Sequence, residues 1–75
     1  MRIVSRQIRS SLTSILVVEA GEEQPIGTIL QEKSGIYKVE DIIGHTATKK
    51  MKSEAIEWLL VQAGYEMGNE GRDGL

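Results

Sequence analysis

The β-branched residues of this chain thin out sharply after Thr48. Between Leu12 and Thr48 there are thirteen Ile, Val and Thr; between Lys49 and Ala63 there are only Ile56 and Val61. β-Branched side chains keep their favoured rotamers on a pleated sheet and lose freedom in a helix, whereas Lys, Glu, Ala, Leu and Met lose little there. The first stretch is therefore read as strands and the second as a helix. From Gly64 onward four glycines fall within twelve residues, which reads as a flexible tail over 64–75.

Turn residues divide the first stretch. Ala20-Gly21-Glu22-Glu23-Gln24 separates two apolar runs, and Lys33-Ser34-Gly35 separates the next two. Strands are expected at Leu12–Glu19, Pro25–Gln31 and Ile36–Ile43, joined by short loops as an antiparallel meander. In the second stretch Ala55, Ile56, Leu59, Leu60 and Ala63 recur at helical spacing and form one apolar stripe. Thr48 is the expected N-cap, with Ser53 as a later alternative, and Gly64 the residue that ends the helix. Residues 1–11 support two readings, because Val4, Ile8 and Leu12 have helical spacing while Val4, Arg6 and Ile8 alternate. The expected domain, 12–63, is thus α+β, a three-stranded antiparallel meander with one C-terminal helix packed on it. An N-terminal arm, or additional strand, precedes it.

One helix covers one face of a sheet, yet Ile15 and Val17 point one way and Leu16 and Val18 the other. The sheet therefore carries more apolar surface than one helix can shield. That surplus leads to the first functional expectation, a non-enzymatic interaction or regulatory module. It would bind another protein, or a second copy as a homodimer, through Ile15, Val17, Ile29, Ile36 and Trp58.

The second expectation comes from charge. Six of the nine Lys and Arg fall in two clusters: Arg2, Arg6 and Arg9, and Lys49, Lys50 and Lys52. The lysines are expected in the first helical turn, where cations oppose the helix dipole. An anion or nucleic acid bound there would explain them. The net charge of −2 gives the chain as a whole no drive toward nucleic acid.

Catalytic and cofactor chemistry finds few residues to use. There is no Cys, and His45 is the only histidine, which excludes thiolate sites and leaves a metal only carboxylates besides that one imidazole. Glu40 and Asp41 are adjacent on a strand and point to opposite faces. Glu32-Lys33-Ser34-Gly35 lacks the glycines of a phosphate loop. No cofactor, metal or small-molecule substrate is expected, and no enzyme. The longest apolar run of the first half, Ile15-Leu16-Val17-Val18, is shorter than the roughly 7–15 residues of a secretory signal core or the about 20 of a membrane span. A cytoplasmic location without membrane contact is expected.

The order strand, strand, strand, helix carries Gly35-Ile36-Tyr37-Lys38-Val39, then Gly44, then Glu54-Ala55 in the helix. Over 25–63 it is similar in topology to plant ethylene-response-factor domains and to the N-terminal domains of conjugative-transposon integrases. The likeness implies a sheet that enters the DNA major groove with the helix behind it. This chain departs from that pattern in having Lys38 beside Glu40 and almost no Arg on the corresponding face, and in lacking the plant domain's glycine-tryptophan signature.

Overall fold

The computed structural model describes residues 1–65. Five strands, β1 (Arg2–Arg9), β2 (Leu12–Glu19), β3 (Glu22–Gln31), β4 (Tyr37–Asp41) and β5 (Thr46–Lys49), precede one helix, α1 (Lys52–Gln62). Every strand pairs antiparallel with its sequence neighbour, so the sheet order is β1-β2-β3-β4-β5. The α+β class with a C-terminal helix holds, but the sheet has five strands rather than three. A strand-strand-strand-helix order is present as β3-β4-β5-α1, with β1 and β2 ahead of it.

The N-terminal segment is β1, laid along β2 from Arg2 opposite Val18 to Arg9 opposite Leu12. At the next turn Ala20 and Gly21 both have positive φ, 53° and 80°, the paired left-handed geometry of a two-residue hairpin. Glu22, Glu23 and Gln24, expected in a loop, therefore already belong to β3. The expected third strand is shorter than its apolar residues suggest. Ile36 precedes β4, and Ile42 and Ile43 lie in the turn after it.

The helix starts three residues later than Lys49. Its N-cap is Met51, in extended conformation, and no side chain caps it. Lys49 instead ends β5, and neither Thr48 nor Ser53 acts as cap. The C-terminus follows expectation. Gly64 has φ 90°, its N–H donates to the Val61 carbonyl, and the Tyr65 N–H donates to Leu60. That bond pair is a Schellman motif. The tail expected over 64–75 is described only at Gly64 and Tyr65.

The core lies between the helix and one face of the sheet. Ile15, Val17, Ile26, Ile29 and Val39 meet Ala55, Leu59 and Leu60 there. Burying a side chain such as Leu59 is worth roughly 1.5–3 kcal/mol, so this packing holds the helix in place. The β2–β3 register shifts between Ile15 and Leu16, where Gly27 faces Ile15 and Pro25 faces Leu16. The extra residue is Ile26, and this bulge turns it into the core beside Ile29 rather than away from it. Gly27 lies directly beneath Leu59, where a Cβ has no room.

The other face of the sheet carries the second apolar set, centred on Leu16, which is buried. Val4 of β1 and Pro25 of β3 flank it across the ladder. The Arg6 guanidinium reaches Glu23 at 3.1 Å. Arg6 is on β1 and Glu23 on β3, so that ion pair crosses β2 over Leu16. The arginine stem acts as an apolar cover, and the strand that the N-terminal segment forms shields part of what the helix cannot.

Candidate functional site

An up-and-down meander sorts residues between two ends. β1, β3 and β5 run toward one end, β2, β4 and α1 away from it. The end reached by β1, β3 and β5 holds Arg9, Lys33, Lys38, Lys49, Lys50 and Lys52. These are six of the eight Lys and Arg among the described residues. Arg9, Leu12, Leu30, Lys38 and Thr48 form one continuous cross-strand row on the face away from the helix. Four strand spacings of about 4.8 Å give that row a width near 19 Å. Lys49 faces the other side, opposite Tyr37. Lys52 opens the helix and lines a small cleft with Ser10, Ser11 and Thr13, which brings the helix start to the β1–β2 turn. Glu32, Glu40 two residues along from Lys38 on the same face, and Glu54 and Glu57 of the helix beside Lys49 offset part of this charge. The uncapped helix N-terminus adds its partial positive charge at the same end.

The two basic clusters of the sequence are therefore split. Arg9 joins the lysines. Arg2 is at the opposite end, opposite Val18, and Arg6 is engaged with Glu23. Of the lysines only Lys52 is helical; Lys49 belongs to β5 and Lys50 to the bend that follows. Lys33 and Lys38 lie outside both sequence clusters, and sequence reasoning misses them. The alternation Tyr37-Lys38-Val39-Glu40 marks Lys38 as outward-facing, but only the hairpin pairing brings it onto the row of Arg9.

Of the apolar docking residues expected from sequence, Ile15, Val17 and Ile29 are core, exposed by 0%, 1% and 2%. They form the floor on which the helix rests and do not present a free surface, which corrects the expectation of an open sheet face built on them. Ile36 is exposed, and Trp58 is half-buried against the core edge. Trp58 lines a shallow depression with Lys49, Glu54, Glu57 and Val61.

The far end has the opposite character. Glu19, Glu22 and Glu23 flank the β2–β3 turn, and Asp41 closes β4. Asp41 is buried. Its Oδ1 accepts the N–H groups of Ile43 at 3.0 Å and His45 at 2.9 Å, holding the β4–β5 turn in shape. Its Oδ2 lies 3.3 Å from His45 Nδ1 and receives no hydrogen bond, so it acts as an ion-pair partner when the imidazole is protonated. Burial pushes the carboxyl pKa up. The backbone N–H groups of His45 and Ile43, the His45 charge and the Gly44 N–H together outweigh it and hold the pKa below its usual value. The carboxylate is thus committed to the turn and not aimed at a substrate. Beside it Ile42 and Ile43 stand 69% and 74% exposed. They wall a cavity of about 240 Å³ whose other walls include Pro25, Ile26, Ala63 and Tyr65.

No protein family, curated protein or solved structure matches this chain. Among the described residues no three His, Cys, Asp or Glu side chains are grouped to hold a metal ion, and no helix is long and apolar enough to cross a membrane.

Proposed function

We propose that this chain is a small non-catalytic binding module that docks a nucleic acid on its basic end. The observation that carries the reading is the gathering of Arg9, Lys33, Lys38, Lys49, Lys50 and Lys52 at one end of a chain with net charge −2. A total charge near zero conceals a strongly cationic pole, and local potential rather than total charge steers a polyanion. The cations are exposed or half-exposed and spread over the width of a five-stranded sheet. Thr48 and Ser10 add hydroxyl groups suited to phosphate. The cost of lysines beside a helix N-terminus is offset once phosphate is bound there.

Titration of a labelled random-sequence duplex DNA over a salt series tests this. About four neutralised phosphates give a slope of log K against log salt of roughly −3.6. Replacing Lys49, Lys50 and Lys52 together with Gln flattens that slope toward roughly −1, since every phosphate no longer neutralised takes about 0.9 from it. Absence of binding at low salt, or an affinity indifferent to the three substitutions, rejects the reading.

A further inference from the structure

We propose that the opposite, acidic end is a second binding site: a docking cleft for a partner-protein segment that presents an apolar anchor beside basic residues. The cleft opens between the β4–β5 turn and the C-terminal end of the helix, with Ile42, Ile43, Ala63 and Tyr65 as walls and Pro25 and Ile26 beneath. Its volume, about 240 Å³, is below the roughly 300–1,000 Å³ of sites that enclose small molecules. It suits one inserted side chain. Ile42 and Ile43 are the two most exposed large apolar residues of the described chain. They are held out by a turn that a buried carboxylate locks from within, so the apolar tip is rigid and ready for a partner.

Charge selects the occupant. Glu19 and Glu22 pair with each other across the hairpin, two rungs beyond Val17 opposite Gln24. Both therefore lie on the helix side of the sheet, and Gln24 lines the cleft. Arg2 and Arg6, the cations of this end, sit on the other face, and the last helical turn has no basic residue. An acidic lip beside an apolar slot favours a segment with Lys or Arg next to Leu, Ile or Met. Two copies meeting through this end would set Glu19 and Glu22 against their own counterparts, which disfavours a symmetric dimer here.

The probe is a ten-residue peptide of alternating Leu and Lys, with Leu/Glu and Ser/Lys peptides as controls, followed by NMR shifts of the full chain. The Leu/Lys peptide is expected to move the signals of Ile42, Ile43 and Tyr65. Ile43→Ser, a change at an exposed position that leaves the fold intact, is expected to weaken binding about tenfold, and Glu19→Lys with Glu22→Lys to transfer the preference to the Leu/Glu peptide. Four outcomes overturn the proposal: equal binding of the Leu/Glu peptide to the parent chain, binding of the Ser/Lys peptide as strong as that of Leu/Lys, shifts centred elsewhere, or self-association of the free chain that Ile43→Ser abolishes. The DNA titration does not involve this cleft, so Ile43→Ser leaves it unchanged.

Discussion

Adding one methyl group at Gly27 tests how the helix is seated. An alanine Cβ there would collide with Leu59 Cδ2 and with the Glu40 carbonyl oxygen, and would lie 3.2 Å from Asp41 Cα. Leu59 is a side chain in the core, 0% exposed, and has nowhere to retreat. The Glu40 carbonyl belongs to the β3–β4 ladder, so relief in that direction spreads two paired strands. Overpacking of this kind costs typically 1–3 kcal/mol, and two immovable neighbours put Gly27→Ala near the upper end. In a domain of this size each kcal/mol is worth about 4–8 °C of Tm, which predicts a loss of roughly 10–20 °C. Thermal and urea melts followed by circular dichroism read this directly. The Leu59→Ala variant separates the two collisions. Gly27→Ala should cost less in that background, because one clash is gone, yet still cost something, because the carbonyl remains. A Gly27→Ala protein melting within about 2 °C of the parent would refute the account of helix and sheet in direct contact at this point.

Other outcomes follow from single positions. Ala20 holds a left-handed conformation, φ 53°, that Asn adopts more readily. Ala20→Asn ahead of Gly21 should therefore raise stability by about 0.5–1 kcal/mol, visible as a higher urea midpoint with unchanged slope. Asp41 has a lowered pKa in the folded chain, so its contribution is present above the ordinary carboxyl value, near 4, and is lost as pH falls through the lowered one. Asp41→Asn should flatten the acid limb of a stability–pH curve below about pH 4, and an unaltered limb would show that other carboxylates carry it. Val17→Lys puts a cation into a site 1% exposed; it should abolish the cooperative melt through the cost of an unpaired buried charge, and a folded, merely monomeric product would contradict the core assignment.

The parts of the fold that sequence makes legible are those governed by neighbours. The bounds of β2, the Ala55-Leu59-Leu60 stripe and the Gly64 stop all follow from periodicity or from one residue's φ preference. β5 escapes such reading because it is four residues long and its Thr46 and Thr48, alternating with Ala47 and Lys49, run directly into a lysine-rich segment that suits a helix equally well. The inward turn of Ile26 depends on a bulge, which alternation alone assigns to the wrong face. The same limit governs the sites. The opposed directions of Ile15 and Leu16 are readable, but not which of them the helix takes, and so sequence reasoning mistakes core residues for a docking surface. Arg9 and Lys38 are separated by 29 positions in the chain and come onto one cross-strand row only through three successive hairpin registers.

Pairing that never skips a strand has a kinetic consequence. Each rung of the ladder closes over a loop of two to five residues, so the conformational search is a sequence of short steps rather than one long closure, and chains of low contact order fold fast. It also makes stability graded along the sheet. β1 pairs along β2 and reaches β3 through the exposed Arg6–Glu23 ion pair, whereas the helix packs on the core face of β2, β3 and β4 and against β5. The leading hairpin strand is therefore the first rung to open, and it opens while the layer beneath the helix stays shut.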